Sequence, residues 1–467
     1  MKRRSRRLLT GVWILALAPA CGDSEETTPP ATIDNTGVEV ARALDESDDP
    51  AVFELTLEAR TAEAQFDASP KTPVWSYNGT VPGPLIEANV GDKLVVHFQN
   101  SLDEETTIHW HGVRVPAEMD GTLAMQDPVL PGDGFEYEFT LKDAGLYWFH
   151  PHIRGDLQVQ RGLYGTILVR GDNEPAFDRE LVVVLDDIRL KANGEIEEYP
   201  DDEGLAIGRE GNTLLFNGQV SPTVHAQPGE TLRLRLVNTA NGRFFNLKLA
   251  GHSFLVVGTD GGLIPKPFTT KTLLMSPGER YDVLVSLEGN VGDELAFTTE
   301  PYERGHGTGE NPAMPIATLK LDGEPVEGAP LPTAGPSTDL LPEDAPVESI
   351  VLDEGTIDGA LQFTINGATY PDVAPIVVPL GESRVLELRN DAEMDHPFHL
   401  HGFFFQVIER NGQIVPEADR FDKDTIIVPM ESSMKVVARF DEPGMWMYHC
   451  HILEHAELGM MGEVHVE

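Results

Sequence analysis

The sequence predicts an all-β protein of three tandem β-sandwich-sized domains, and three observations support this prediction. A strand-like segment with alternating apolar residues occurs three times, each copy running nine residues from a glycine to an asparagine: Asn100, Asn238 and Asn390. An Asn-Gly pair and a proline, which are typical of turns, precede every copy. The copies lie 138 and 152 residues apart, which is enough chain for one sandwich each.

The length of 467 residues suggests two to four domains, and the repeats place their boundaries. The predicted segments, in chain order, are a signal peptide (1–20), a flexible polar tether (21–50), a first domain (51–172), a second domain (173–322), a Pro-rich acidic linker (323–347) and a third domain (348–467).

Residues 1–20 resemble an export signal. Five basic residues accompany an apolar run at 8–20 that is too short to span a membrane. Residues 5–9 (SRRLL) are similar to a twin-arginine signal, and residues 18–21 (APAC) resemble a lipoprotein cleavage site. We therefore expect an exported protein, periplasmic or held at the cell envelope by a lipid on Cys21. The alternative is a plain secretory signal with an incidental cysteine.

The formal net charge is −43 at pH 7. A field this negative argues against nucleic acid and anionic membranes as partners, and leaves a possible N-terminal lipid anchor as the predicted membrane contact. Cys21 and Cys450 are the only cysteines in the sequence. If the first carries a lipid and the second binds a metal, the exported protein contains no disulfide and relies on its core.

Ten of the fifteen histidines are concentrated in four motifs: HWHG (109–112), HPH (150–152), HPFHLHG (396–402) and HCHILEH (449–455). Residues i and i+2 of a β-strand lie on the same face, so each His-x-His pair directs two imidazoles to one side. Neutral imidazole suits copper, and four pairs provide eight histidines for a cluster of several ions. We interpret the histidines outside the motifs as structural or surface residues: His97, His225, His252, His306 and His465.

Cys450 indicates a second kind of copper site. In an extended strand it faces away from its two histidine neighbours, so one strand can serve two sites. Cys450, His455 and Met460 lie within eleven residues, and His396, which the pairs leave unused, completes a His₂Cys set with a weak thioether ligand. That set is the ligation of a blue-copper electron-transfer centre. The alternative is a buried cysteine beside incidental histidines.

Comparison of the copies assigns the copper chemistry to the first and third domains. Nine and eleven residues after the repeated asparagine, these two copies have histidines, whereas the second copy has Leu247 and Leu249. The first copy lacks the blue-copper set, because other residues stand at the positions of His396, Cys450 and Met460: Thr106, Pro151 and Leu163. We therefore expect a copper cluster between the first and third domains, and a structural second domain.

The four motifs together resemble those of the multicopper oxidases, specifically the three-domain bacterial laccase-like enzymes, over roughly residues 50–467. The resemblance implies three cupredoxin-like domains, which are Greek-key β-barrels or sandwiches, and four copper ions. By family role, the type 1 copper would be bound by His396, Cys450, His455 and Met460. The type 2 copper would be bound by His109 and His399. The type 3 pair would be bound by His111, His150, His152, His401, His449 and His451.

The resemblance also implies an acid near the cluster, because reduction of O₂ to water consumes protons. Asp120, nine residues after His111, is similar in placement to the acid that the family uses; the alternative is a turn residue in a Met-Asp-Gly sequence. Bacterial relatives commonly carry Glu after the last histidine of the fourth motif, where this chain has Ala456. Glu457 is the candidate substitute for this second acid.

The leading functional hypothesis is a laccase-type oxidase that takes electrons singly from phenols or aromatic amines and passes them to O₂. A second hypothesis is an oxidase of metal ions, for example Cu(I), but the methionines are scattered and the loop 302–314 has only one. A non-catalytic envelope protein is disfavoured because all twelve ligand positions are present. A copper nitrite reductase would not require the paired type 3 histidines.

Overall fold

The structure, a computed structural model, describes residues 37–66, 70–197, 202–357 and 359–467. The predicted signal and the first part of the predicted tether lie outside these residues. No helix in the described part of the chain is long and apolar enough to cross a membrane.

The first domain is a sandwich of two four-stranded sheets around one apolar core. Its strands are β1 (Val52–Ala64), β2 (Thr72–Tyr77), β3 (Leu85–Asn89), β4 (Lys93–Asn100), β5 (His109–His111), β6 (Gly134–Thr140), β7 (Gly145–His150) and β8 (Gly165–Arg170). The strand orders are β2-β1-β4-β6 and β3-β8-β7-β5. A short helix, α1 (Gly155–Gln160), follows β7.

The second domain is a sandwich of a six-stranded and a five-stranded sheet. Its strands are β9 (Arg179–Ile188), β10 (Thr213–Phe216), β11 (Thr223–Ala226), β12 (Thr231–Asn238), β13 (Phe245–Leu249), β14 (Phe254–Thr259), β15 (Gly262–Thr270), β16 (Leu273–Met275), β17 (Arg280–Ser286), β18 (Glu294–Thr299) and β19 (Met314–Leu321). The orders are β10-β9-β12-β17-β14-β15 and β11-β19-β18-β13-β16. Helix α2 (Asp202–Ile207) precedes β10.

The third domain has the same two-sheet plan. Its strands are β20 (Val347–Ile357), β21 (Ala360–Ile365), β22 (Ile376–Val378), β23 (Ser383–Asn390), β24 (His396–Leu400), β25 (Phe405–Arg410), β26 (Gln413–Ile414), β27 (Asp422–Lys423), β28 (Thr425–Val428), β29 (Ser432–Arg439), β30 (Gly444–Cys450) and β31 (Met461–Val466). The orders are β21-β20-β23-β29-β25-β26, with β27 on β25, and β22-β31-β30-β24-β28. Helix α3 (Leu453–Glu457) follows β30.

The repeated segment of the sequence forms the equivalent strand in each domain: β4, β12 and β23. Each of these strands pairs in parallel with the first long strand of its domain. The asparagine at its end has the same role each time, because its amide donates to two backbone carbonyls and its Oδ1 accepts from the backbone two residues on. The predicted all-β class and three-domain repeat are confirmed, and this shared strand-end network explains why the asparagine repeats.

The Asn-Gly turns recur for a similar reason. Asn78, Asn217 and Asn366 all have left-handed backbones with φ of 54°, 51° and 53°. Asparagine tolerates this conformation better than most residues with a side chain. The side chain of each also bonds a neighbouring strand, as when Asn78 accepts from the Glu58 amide at 2.7 Å.

One boundary differs from the prediction. Residues 37–50 fall within the predicted tether 21–50, yet Val38 and Val40 are buried, in the core of the second domain and in the apolar contact between the first two domains. Their alternation with polar residues gives the segment one apolar face to bury. The packed part of the chain therefore includes residues that the predicted tether contained.

Candidate metal centre

Four short strands bring the paired histidines to one place. β5 pairs with β7 so that His109 lies opposite His150, and β24 pairs with β30 so that His399 lies opposite His449. The sequence predicts a strand under both members of each pair, which is wrong for three pairs. β7, β24 and β30 each end before the second histidine, because the chain turns into a loop there.

Rings from the first and third domains alternate within the cluster. His109 stacks on His401, and His111 stacks on His399, each pair with ring centroids 3.8 Å apart. The eight paired histidines are buried, apart from a partly exposed His152. The structure thus places them between the first and third domains, where the comparison of the copies predicts a copper cluster.

The ring nitrogens form sets that are close enough to share metal ions. Those of His152, His401 and His449 lie within 4.8 Å of one another. Two further sets meet the same limit, and both contain His109: the first with His111 and His150, the second with His399 and His401. The ring of His451 lies 4.9 Å from that of His111 between centroids. The overlap of these sets means that the histidines enclose several metal positions.

Most of these rings have one nitrogen held by the protein and the other free. Backbone carbonyls lie 2.8–3.0 Å from Nδ1 of His109, His150 and His449. Among the described residues, Nε2 of His109, His150 and His399 and Nδ1 of His111 are buried without a hydrogen-bond partner. A buried polar atom without a partner is costly unless a ligand satisfies it. These residues therefore fit metal ions. The protein contact at one ring nitrogen fixes the tautomer and leaves the other nitrogen to bind metal.

Burial is the main cause of the low basicity of these rings. It lowers the pKa of His150, His152 and His401 well below the ordinary value, and the neighbouring imidazoles lower it further. The pKa of His449 falls to about 3 for the same reasons. Neutral imidazole is the form that binds metal, so the cluster presents its histidines ready for copper.

Asp120 and Asp424 each contact one cluster histidine of their own domain and one of the opposite domain. The carbonyl of Asp120 lies 3.0 Å from Nδ1 of His109 in its own domain, and its Oδ2 lies 2.9 Å from Nδ1 of His401 in the third domain. The carbonyl of Asp424 lies 3.0 Å from Nδ1 of His399 in its own domain. Its Oδ1 lies 3.3 Å from Nε2 of His111 in the first domain.

Asp424 differs from Asp120 in having a cationic partner. Burial alone would raise the pKa of the Asp424 carboxyl, but the bidentate contact with Arg280 holds that pKa well below its usual range. Asp424 was missed in the sequence, because it lies 23 residues after its histidine pair, whereas Asp120 follows its pair by nine. The sequence offers one signal for it, a threonine within two residues after each acid (Thr122 and Thr425), and this signal alone is too weak to identify Asp424.

The predicted blue-copper residues also come together. Cys450 Sγ lies 3.4 Å from Nδ1 of His396 and 3.8 Å from Nδ1 of His455, and the two Nδ1 atoms are 3.3 Å apart. Met460 is fully buried in the same core as Cys450. Phe363 stacks on the His455 ring at 3.7 Å. A thiolate and two imidazoles with a thioether nearby suit a copper ion that exchanges single electrons.

The equivalent position in the first domain is filled by other bonds. Thr106, which stands where the third domain has His396, donates its hydroxyl to Gln158 Oε1 at 2.7 Å. Leu163, which stands where the third domain has Met460, is fully buried. These contacts leave no ligand set there, in agreement with the comparison of the copies.

Helix α3 places two further acids close to the cluster. Burial raises the pKa of both Glu454 and Glu457 to about 7. Glu457 accepts from the Gly155 amide at 2.8 Å, and Glu454, which the sequence did not single out, accepts from Asn241 at 2.8 Å. Ala456, together with Glu457, lines a cavity of about 330 Å³ that reaches three cluster histidines: His150, His152 and His449.

The histidines outside the motifs lie away from both sets of ligands or at their edge. Four of them contact acids, at 2.7–3.0 Å: His97, His225, His306 and His465. His252 bonds backbone groups at the surface. His306 lines a groove together with Ala206, whose carbonyl contacts Nε2 of the blue-site residue His455.

Comparison with known proteins agrees with this geometry. Multicopper oxidase family models match residues 58–174, 180–319 and 344–467. The chain is 34% identical over 423 residues to the multicopper oxidase MmcO of Mycobacterium tuberculosis, and the match covers 82% of this chain and 81% of the relative.

Two solved structures have the same fold. A multicopper oxidase from Campylobacter jejuni, described as a metallo-oxidase, is 32% identical with a TM-score of 0.82, covering 92% of this chain and 94% of that one. A laccase-like multicopper oxidase from the lignin-degrading bacterium Ochrobactrum sp. is 26% identical with a TM-score of 0.80, covering 92% and 100%. The second is described as having oxidase activity towards lignin model compounds.

Proposed function

Because this chain belongs to the multicopper oxidase family, we propose that it is a laccase-type enzyme that couples four one-electron oxidations of phenols or aromatic amines to the reduction of O₂ to water. The family uses four copper ions, and the histidine and cysteine sets of this chain fit them. Bound copper supplies one-electron exchange at the thiolate site and a binding position for O₂ at the imidazole cluster.

The observation that carries the proposal is the position of Cys450 between two histidines of the cluster. Cys450 faces His396 and His455, while its neighbours His449 and His451 face the first domain's histidines. An electron received near Cys450 therefore has a continuous covalent route, through the backbone to the adjacent residue, to the cluster. The chain thus joins a site for electron entry to a site for O₂.

We assign proton supply at the cluster to Asp120. Its carboxylate is buried, lies 2.9 Å from His401 Nδ1 and 3.2 Å from His109 Nδ1, and forms no ion pair with a lysine or arginine of the described chain, so it stands beside the reacting position as the group to relay a proton. Asp424 has the matching place on the other side but is held by Arg280. We therefore give Asp424 a structural role and Asp120 the catalytic one.

Reductants must act at the edge of the Cys450 site, because His396 and His455 are both buried. The Nε2–H of His455 donates to the carbonyl of Ala206 in helix α2 at 3.2 Å. Ala206 also lines a groove of about 340 Å³ with His306 and four acids: Asp353, Glu354, Asp391 and Glu393. We propose that the reductant binds in this groove and that Ala206 connects it to His455.

The test is O₂ uptake by the copper-loaded protein with a phenol, an aromatic amine and Cu(I) as separate reductants, with and without excess copper. We expect turnover of the phenol and the amine that does not depend on added copper. A phenol activity that appears only with excess copper would contradict the laccase-type proposal, because copper would then be the direct electron donor.

A second candidate is oxidation of metal ions, which the groove favours. Its four carboxylates attract cations. Because His396 and His455 are buried, a bulky phenol in the groove reaches Ala206 but not the His455 ring, which disfavours phenols as substrates. Glu393→Gln should raise the KM for a metal ion several-fold and leave that for a phenol unchanged. Glu288→Gln, on an exposed loop of the second domain, makes the same charge change outside the groove and is the control.

We also propose that the protein is exported, on the basis of the twin-arginine-like and lipoprotein-like segments at residues 5–9 and 18–21. Cell fractionation of the full chain, compared with a Cys21→Ser variant, tests both parts. We expect the full chain in the envelope membrane fraction and the variant in the soluble exported fraction. An unprocessed protein in the cytosol would contradict the proposal.

A further inference from the structure

The second domain carries no candidate copper ligand, yet one of its turns reaches the cluster. Residues 276–279 connect β16 to β17, and Gly278 lies in this turn with φ of +85°. A Cβ at Gly278 would lie 2.9 Å from Cδ2 of His451 and 3.0 Å from Cε1 of His111. The turn backbone therefore packs directly on two rings of the cluster, at a distance that only glycine permits.

Arg280, two residues further, contacts all three domains and is fully buried. Its Nε donates to the Leu146 carbonyl of the first domain at 3.2 Å, and its Nη atoms donate to backbone carbonyls of the second domain at Gly278 and Asp260. The remaining N–H groups form the fork to the two oxygens of Asp424 in the third domain. All five guanidinium donors thus have an acceptor.

Through Asp424 this contact reaches two histidines of the cluster. Asp424 Oδ1 accepts from the Thr425 hydroxyl at 2.8 Å, and Thr425 Oγ1 lies 3.1 Å from both His111 Nε2 and His399 Nδ1. These are the held nitrogens, opposite the free ones that face the metal positions. The orientation of both rings therefore depends on where Asp424 is fixed.

We propose that the second domain, although it supplies none of the candidate copper ligands, is a structural part of the histidine cluster that would hold the type 2 and type 3 coppers. Arg280 is a positioning residue that fixes Asp424, and through it His111 and His399, while Gly278 supports His111 and His451 from the same side. The inference concerns assembly of the copper centre and does not depend on which reductant the enzyme uses.

The test measures copper retention and spectra in the full-length copper-loaded protein. Arg280→Lys keeps the charge but loses the fork, since lysine cannot make the bidentate contact. Gly278→Ala keeps Arg280, and its added methyl group would push against the rings of His111 and His451. Gly251→Ala is the matched control, because Gly251 also has positive φ (+76°) and nothing lies within 4 Å of its Cβ position.

We expect Arg280→Lys and Gly278→Ala to release cluster copper to a chelator at about 10–100-fold lower chelator concentration than the parent, the usual cost of losing an outer-shell partner. The type 2 electron paramagnetic resonance signal should change in Arg280→Lys, which acts on the predicted type 2 ligand His399, while the blue absorption of the Cys450 site stays at the parental level in both variants. Gly251→Ala should match the parent in all three measurements.

Parental type 2 spectra and copper retention in both variants would overturn the proposal. Loss of the blue absorption in parallel with the type 2 signal would also overturn it, because the effect would then be on the whole fold. If only Gly278→Ala changes the centre, the assignment of Arg280 is wrong and the turn backbone alone supports the rings.

Discussion

Most imidazoles of the centre are held by the protein at one nitrogen and leave the other nitrogen for a metal ion. Backbone carbonyls fix His150 and His449, and a carboxylate fixes His401, so each ring has a set orientation without depending on its neighbours. Burial removes water that would otherwise occupy the free nitrogens. A single substitution at one of these residues therefore alters one contact and leaves the remaining ligands in place.

Replacement of Cys450 by serine should abolish the blue absorption and oxidase turnover while the fold persists. Cys450 is the only cysteine among the described residues and forms the first part of the electron route. Serine differs little from cysteine in size, and His396 Nδ1, which lies 3.4 Å from Sγ, is a partner for its hydroxyl, so the core should tolerate it. Visible absorption and O₂ uptake of copper-loaded protein report the loss, and circular dichroism reports the fold. Substantial phenol oxidation by this variant would contradict the prediction.

Replacement of Met460 by leucine should raise the reduction potential of the Cys450 site and keep activity. The thioether is a weak donor that favours Cu(II), and the axial ligand tunes such potentials. Leu163 is fully buried at the equivalent place in the first domain, so leucine fits the space. A redox titration checks the potential. An unchanged or lower potential would remove Met460 as the axial ligand, and Met461 would become the candidate.

Asp120→Asn should slow reoxidation of the enzyme by O₂ without slowing its reduction by substrate. Asparagine keeps the contact with His401 but cannot carry a proton, so only the proton-coupled half-reaction should suffer. Stopped-flow bleaching of the blue colour without O₂ measures reduction, and its return on mixing with O₂ measures reoxidation. If bleaching slows and reoxidation does not, Asp120 acts on the substrate side.

At the scale of elements, helix α3 serves both metal sites within one turn and a half. It presents His455 to the Cys450 site, while Ala456 and Glu457 line the cavity beside the cluster. The small side chain of Ala456 is one reason why that cavity remains open beside three cluster histidines. A larger residue at this position can therefore reach the cluster without displacing a ligand.

In an Asp120→Asn background, Ala456→Glu should restore part of the rate of reoxidation by O₂. The cavity of about 330 Å³ accommodates the added side chain, and a carboxyl beside His152 provides a second acid. Ala456→Gln has nearly the same size but no proton to give, so it should restore nothing. Reoxidation traces of the two double variants decide the point, and equal rates would mean that the effect is one of packing.

The elements that could be predicted from sequence are those with local signals. The repeated strand, its terminal asparagine and the histidine pairs carry a period of two and fixed turns, so their fold and their approximate neighbours follow. Asp424 and Arg280 could not be predicted, because their partners lie 313 and 144 residues away in the sequence. The contact of helix α2 with His455 could not be predicted either. Ala206 lies 249 residues from His455, and a short helix carries little periodicity.

At the scale of the molecule, the copper-free protein should lose stability as the pH falls below about 6.5. The pKa values of nine cluster and blue-site histidines are lowered by burial, with His396 and His449 at about 3, so unfolding at acid pH takes up protons that the folded state excludes. Each such histidine costs about 1.4 kcal/mol per pH unit in that range.

Glu454 and Glu457 act in the opposite sense, because burial raises their pKa to about 7 and the folded state then takes up protons first. Five aspartates whose pKa burial raises, Asp186 most strongly, act in the same sense, and these seven acids offset only part of the effect of nine histidines. Urea denaturation of copper-free protein at pH 7.5, 6.5 and 5.5 measures the change, with return to pH 7.5 as the control. A free energy of unfolding that is constant or rises towards pH 5.5 would contradict the prediction.

The reciprocal contacts of Asp120 and Asp424 have a consequence for ancestry. Contact of residue i with j and of j with i is what two identical subunits make across a two-fold axis. The first and third domains repeat that relation inside one polypeptide, as a fused descendant of a symmetric dimer would. Fusion allows the halves to differ: one half holds a thiolate site, and only one of the two acids faces an arginine from the intervening copy. In a symmetric dimer of identical subunits, both subunits or neither would have the thiolate site, and both acids or neither would face an arginine.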